Sequence, residues 1–557
     1  MQKKLHACMY FCLIAFFANI TPTAFATTLS ENSVKLGTAS KSEKIYAQSL
    51  KISDDKQHIA YVSKNKTGMR VWKDGTPGPV YQGISIETPV FAPGSDKVCY
   101  IAIEANQMRA VIDGEKGPVF QAIDSLTFSY DGTRTGYRYI NNAEKMQVMI
   151  DNKPGPEFAK IADEPGIVFS PDGKHFAYVG ISSTGSHILV KNHKKQQAFD
   201  DIQTVLFSPD ARHLAIVAKQ ADMWHVIFDG KTGNPYKKIT QLSFSPDSNH
   251  IVYTAQKQKQ FVVVKDHNEL PSGQSALSPQ YSPDGKTLVY AMGKNNKWHL
   301  VVNGKAGPPV EKPGKIGFSE KGSHFAYSAL MDDQWTVFFD NKKGPLFDNI
   351  TYLDFSPYDP TLVYIAHKKD HQCIVKNQIP DVFYDSVGLP VFSGKPNGHF
   401  AYVALDTQQH KTFIIENIAG STKKHEPFDM IGILMADKKG DPFYAAQRPF
   451  FSADGRHMAY PVIHNKKSLM VVDNKPQKRF DVVSRPYFSP DGTHVAYMAK
   501  TNDRWFVVVD GKTGKKSFDS FLKEGGIVFD GPDRFSVLAL NLPGPDFYRL
   551  TVNIKSN

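Results

Sequence analysis

The phrase Ser-Pro-Asp-Gly, written without change at Ser170–Gly173 and Ser489–Gly492, returns in recognisable form thirteen times between Ser53 and Asp530. From Ser208 it recurs at Ser245, Ser282, Ser319, Ser356 and Ser393 with a constant step of 37 residues, and the earlier steps run from 37 to 41. One interval is longer, the 59 residues from Ser393 to Ser452, which predicts an insertion at 417–448. Periods of this length belong to arrays whose units cannot bury their own apolar faces alone.

Each unit parses into four antiparallel strands. In the copy around Ser208, Val205–Phe207 is a short strand, the phrase itself a turn, and His213–Val217 a second strand. Trp224–Phe228 is a third, ending at Asp229-Gly230, and a fourth begins near Pro235-Tyr236. Pro presets the first central position of a type I turn, the Asp carboxylate can accept backbone N–H groups, and Gly supplies a positive φ. Asp113-Gly114, Asp229-Gly230, Asn303-Gly304 and Asp510-Gly511 carry the dipeptides of two-residue hairpins.

Strands such as Trp224–Phe228 and Trp505–Val509 are apolar on both faces, so both faces must be covered. Sheets of four strands stacked face to face around an axis meet that need, which predicts an all-β chain of about thirteen propeller blades. Known rings hold about four to eight blades. The expected arrangement is therefore two tandem β-propellers, six plus seven, over residues 27–270 and 271–557, with the boundary in the Pro- and Ser-containing stretch Lys265–Gln280. The last unit lacks a fourth strand, and residues from about Ser30 to Lys44 are expected to supply it. A two-sheet sandwich would leave outer polar faces that these strands do not have.

Lys3 and Lys4, the apolar stretch Met9–Ala18 and Ala24-Phe25-Ala26 together read as a secretory signal peptide over residues 1–26. No transmembrane segment is expected beyond it. Cys12 lacks the preceding small residues of a lipoprotein signal. Cys99 and Cys373, far apart in apolar strands, read as packed thiols rather than a disulfide or metal pair.

The formal charge is +11, or +9 once Lys3 and Lys4 leave with the leader. Lysine clusters such as Lys194-Lys195 and Lys466-Lys467 can meet an anionic polymer, and they also serve as edge-strand guards. Export and the lack of a recognition motif argue against nucleic acid. His175, His213, His250, His324, His457 and His494 recur one per unit and so lie on a circle. A metal needs ligands converging at about 2 Å, so these read as structural. Asp172, Asp210, Asp247, Asp284 and Asp491 read as turn residues, and Trp224, Trp298, Trp335 and Trp505 as fillers between blades.

Phe169–Val179 and Phe488–Met498 resemble the WD-repeat-like propeller unit of the TolB type, and are similar to the propeller domains of the dipeptidyl peptidase and prolyl oligopeptidase families. The resemblance implies an exported bacterial propeller protein. The α/β domain that precedes a TolB propeller has no room here, and no Gly-x-Ser-x-Gly elbow of the peptidases occurs. An Asp box of the sialidase type is excluded because Asp and Gly are adjacent.

On a scaffold of equivalent units, function belongs to the parts that break the repeat. The insertion offers Lys423, Lys424, His425, Phe428, Lys438, Lys439, Phe443, Tyr444 and Arg448, basic and aromatic residues suited to a partner interface. No catalytic constellation, metal set or cofactor motif emerges. The expected role is a non-catalytic binding scaffold for a protein or anionic polymer of the cell envelope, in the periplasm or secreted. The alternative is a secreted glycan lyase or hydrolase acting at a channel mouth.

Overall fold

The computed structural model describes residues 27–38, 43–85, 87–271, 273–396, 398–418, 420–436, 442–522, 525–542 and 546–555. The leader segment 1–26 lies outside them. Among the described residues the regular structure is strand, apart from one short 3₁₀ turn at Ala47–Ser49. Thirteen antiparallel sheets follow one another along the chain, one per repeat. In the fifth, Asp201–Phe207 is the inner strand, followed outward by Leu214–Gln220, Met223–Phe228 and Lys231–Thr232. Inner strands of successive sheets, such as Lys312–Phe318 and Asn349–Phe355, approach within 8 Å of one another.

The turns fold as their chemistry dictates. Ser208 Oγ donates to Asp210 Oδ1 at 2.6 Å and accepts the His213 N–H at 3.0 Å, while Asp210 Oδ1 also accepts the Arg212 N–H. The same set recurs at Ser170, Ser452 and Ser489. Gly in the last position serves the neighbour as well as the turn. At Gly322, φ is +70°, and a Cβ would stand 2.5 Å from Oδ1 of Asp284 in the preceding blade. The turns therefore abut one another around the axis.

Among the described residues a clasp ties this turn, in seven blades, to the turn between the third and fourth strands on the same face. His250 Nδ1 meets Asp266 Oδ2 at 2.6 Å, and Asp266 Oδ1 accepts the Ile251 N–H at 3.0 Å. His58, His213, His324, His457 and His494 make the same pair with Asp74, Asp229, Asp340, Asp473 and Asp510, and His175 uses Asn192 instead. The imidazoles are thus engaged separately, one per blade.

Between sheets lie the cores. Ala215, Val217 and Val226 of blade 5 pack on Tyr236, Ile239, Tyr253 and Val262, bridging to blade 6. At the second-strand position, Tyr61, Tyr137, Tyr178, Tyr253, Tyr290, Tyr327, Tyr364, Tyr402, Tyr460 and Tyr497 are fully buried. The repeated Tyr is a packing residue, and the hydroxyls of Tyr61, Tyr137, Tyr178, Tyr253 and Tyr327 have no hydrogen-bond partner.

Blade closure follows the expected route with different limits. Thr28–Thr38 pairs antiparallel with Asp546–Lys555 and forms the outer strand of the last sheet, Thr28 opposite Lys555 and Thr38 opposite Asp546. Lys44 instead begins the first sheet. Blade 13 also packs on blade 1, through Leu36, Leu522, Leu538 and Phe547 against Ile59 and Tyr61.

Here the ring count departs from the expectation. Val252 and Val263 of blade 6 share a core with Ala276, Leu288 and Tyr290 of blade 7, so packing continues across residues 270/271 as at every other junction. With blade 13 on blade 1, the thirteen sheets make one ring instead of rings of six and seven. The physical reason lies at the inner edge. The residue before each turn serine is aromatic in twelve units, and Phe169, Phe207, Phe244, Tyr281, Phe318, Phe355, Phe392, Phe451, Phe488 and Phe529 pack into the junction with the preceding blade. Every junction is filled in this way or by its own apolar core, 12/13 and 13/1 included, so none is left open to divide the array into two rings. Neighbouring sheets then turn by about 28°, where a ring of seven would need about 51°. Inner strands spaced by roughly 10 Å enclose a lumen roughly 40 Å across, measured between backbones.

One deletion and two substitutions test this account. Removing residues 27–38 should lower the thermal unfolding midpoint by several degrees, and an unchanged midpoint would refute closure by that strand. Phe355→Ala should cost about 3–5 kcal/mol in denaturant unfolding. Tyr253→Phe removes a buried hydroxyl with no partner and should leave stability equal or higher.

Candidate functional site at blades 10 and 11

One turn of blade 10 breaks the repeat on the face that carries the clasps. The turn after Ser393 reads Gly-Lys-Pro, with no Asp two residues on, and it is one residue longer, so Ser393 N–H bonds to the His399 carbonyl where other blades use the fifth residue. The hydroxyl of Ser393, deprived of its usual carboxylate, meets His399 Nδ1 at 2.7 Å. The extra residue turns the imidazole so that Nε2 donates to Glu416 Oε1 at 2.9 Å. His425 Nε2 donates to the other oxygen at 3.0 Å.

This cluster is buried, with His399, Glu416 and His425 side chains 8%, 13% and 3% exposed. The hydrogen bonds from His399 and then His425 outweigh burial and hold the Glu416 carboxyl down at about 2. Its two oxygens are taken by different imidazoles, so the three groups form a hydrogen-bonded line and not a converging ligand set. Among the described residues no group of three or more His, Cys, Asp or Glu is placed to hold a metal ion. Ser393, His399 and Glu416 have the residue types of a hydrolytic triad. Ser393 is fully buried as the turn serine of its blade, and its hydroxyl meets Nδ1 while the carboxylate meets Nε2, the reverse of the triad's use of the two ring nitrogens.

Beside the cluster, between blades 10 and 11, opens a cavity of about 430 Å³. Ile418, Phe451 and Met458 give it an apolar wall. Glu416, His457 and Asp473 give it polar groups, and Lys395, Arg456 and Asn474 stand around them. His399 lies edge-on to Phe451, with ring centroids 5.1 Å apart.

The insertion is an added strand pair. Met430–Ala436 starts as the inner strand of blade 11, Ile431 opposite Val462. From Gly432 it pairs instead with Pro442–Ala446, Gly432 opposite Ala446 and Ala436 opposite Pro442. The result is a hairpin added at the lumen-side edge of the sheet. Ser421–Lys424 is the ordinary outer strand of blade 10, and residues 425–429 are the path to blade 11.

The residues singled out from sequence do not gather in one place. Lys423 and Lys424 are exposed on the outer strand Ser421–Lys424, with Lys424 Nζ 3.7 Å above the Phe413 ring. His425 is buried in the cluster, and Phe428 packs on the core between blades 10 and 11. Phe443 and Tyr444 lie on the hairpin, opposite Met435 and Leu434, and Arg448 is exposed just after it. Lys438 and Lys439 fall outside the described residues. Four strands about 4.8 Å apart separate the outer rim from the lumen side. Sequence reasoning missed His399 and Glu416, whose signal was the lengthened, Asp-free turn at Ser393.

No family model matches the chain, and no curated protein does. Among solved structures, the chain is similar to a eukaryotic initiation factor at 15% identity, covering 62% of this chain and 96% of that one with a TM-score of 0.28. It is also similar to the β-propeller domain of the Trilobed protease from Pyrococcus furiosus at 13% identity, covering 46% and 95% with a TM-score of 0.22. At such scores neither likeness bears on the ring or the site. The fold itself defines the class, a thirteen-blade β-propeller.

Glu416→Gln should lower stability by about 2–3 kcal/mol at pH 7, the worth of hydrogen bonds to a charged group. Because the folded carboxyl is held below its ordinary value, its contribution is complete above about pH 4.5 and fades as pH falls towards 2. The gap between wild type and variant should therefore close in acid, as followed by denaturant unfolding across pH; a constant gap would contradict the charged network.

Proposed function

We propose that this chain is an exported, non-catalytic scaffold of the WD-repeat-like, TolB type, which holds a protein or anionic polymer of the cell envelope in the periplasm. The observation that carries the reading is the hairpin added at the lumen-side edge of blade 11, the place where the ring departs from its own repeat. A scaffold invariant elsewhere puts recognition where it varies. Exposed lysines on the outer strands, Lys153, Lys194, Lys195, Lys231, Lys305, Lys342 and Lys423 among them, favour a negatively charged partner. The leader-like segment before Thr27 supports export. The glycan lyase or hydrolase reading gains nothing from the blade 10 cluster, whose serine is sealed beneath its own turn.

The test compares the mature chain with a version in which residues 433–445 are replaced by Asn-Gly. Both are passed over immobilised envelope extract and over an immobilised acidic polysaccharide. Retention of wild type, weakened by salt and lost with the hairpin, is the expected result. Equal behaviour of both proteins would overturn the role of the hairpin, and turnover of glycan or peptide would overturn the non-catalytic reading.

A further inference from the structure

The cavity between blades 10 and 11 has an uneven supply of polar groups. Its carboxylates are already satisfied. Glu416 receives two imidazoles, and Asp473 receives the His457 ring at 2.7 Å and the Met458 N–H at 3.0 Å. The donors are not so engaged. Among the described residues the Lys395 ammonium has no ion-pair partner and the Asn474 amide no hydrogen bond. Arg456 touches only Asp454, at 3.4 Å, with its side chain 75% exposed. A site whose carboxylates are already occupied by hydrogen-bond donors, while Lys395 and Asn474 are free, suits an acceptor-rich ligand carrying negative charge.

The remainder of the lining sets the body of that ligand. Ile418, Phe451 and Met458 form an apolar wall on which the faces of a small ring can lie, and about 430 Å³ accommodates one or two six-membered rings. The turn at Ser393, which brings Lys395 to the space, departs from the repeat, so no other junction should share the site. We propose that this cavity binds a sugar-sized ring bearing one anionic group, carboxylate or phosphate, with Lys395 and Arg456 on the anion and Phe451 against the ring. The proposal rests on the anionic-polymer reading above and narrows it to an acidic glycan unit. The same chemistry could also come from a free sugar acid.

Calorimetric titration of the full mature chain with glucuronate, glucose and an oligogalacturonate tests it. Glucuronate should bind at least tenfold more tightly than glucose. Lys395→Ala/Arg456→Ala, two changes at exposed positions, should weaken glucuronate binding tenfold or more at an unchanged unfolding midpoint. Lys423→Ala/Lys424→Ala on the outer rim should not. Equal affinity for glucose, an indifferent double variant or absence of glucuronate binding would each overturn the proposal. Oligogalacturonate binding that falls in the same double variant supports a polymer unit, and binding of glucuronate alone overturns that source in favour of a free sugar acid. Glucuronate binding that survives loss of polysaccharide retention in the hairpin replacement would show the scaffold reading failing on its own.

Discussion

Every sheet in this protein is apolar on both faces, and that one constraint organises the rest. A blade such as Leu214–Gln220 with Met223–Phe228 buries Ile216 and Ala218 towards one neighbour and Val217 and Val226 towards the other. A free end would expose one such face to water, at roughly 25 cal/mol for each Å² of apolar surface. The array is therefore stable when its ends meet. The ends meet through the first strand of the chain, which lies alongside the last from Thr28 to Thr38.

How many blades fit before the ends meet is a question of taper. The repeat made four-stranded sheets, turn positions and even the missing outer strand legible, because each depends on local turn chemistry and on a period of about 37 residues. Ring size depends on the angle between sheets, which no single unit spells out. The clue was in view, in the aromatic residue that precedes the turn serine at Phe169, Phe244 and Phe355. Its consequence appears when that side chain is seen packed into the junction with the preceding blade, at one step after another around the ring.

The site was less legible for a related reason. Basic and aromatic residues between 417 and 448 stand close together in sequence, yet four strands of sheet divide Lys423 on the rim from the hairpin at the lumen. His425 and Phe428 point into packing. The residues that do meet, His399, Glu416 and His425, come from one strand of blade 10, the turn before its second strand and the segment after its outer strand. One added residue in a turn brought them together by redirecting an imidazole from the usual clasp. Small departures in length can therefore mark chemistry more reliably than clusters of suggestive side chains.

Thirteen thin wedges also make a compliant object. A slight change of tilt shared among all junctions alters the bore while leaving each buried contact nearly as it was, whereas a ring of few thick wedges must strain a junction to do the same. Mechanical load on such a hoop would be spread over its whole circumference, the seam included, where the first strand lies alongside the last from Thr28 to Thr38.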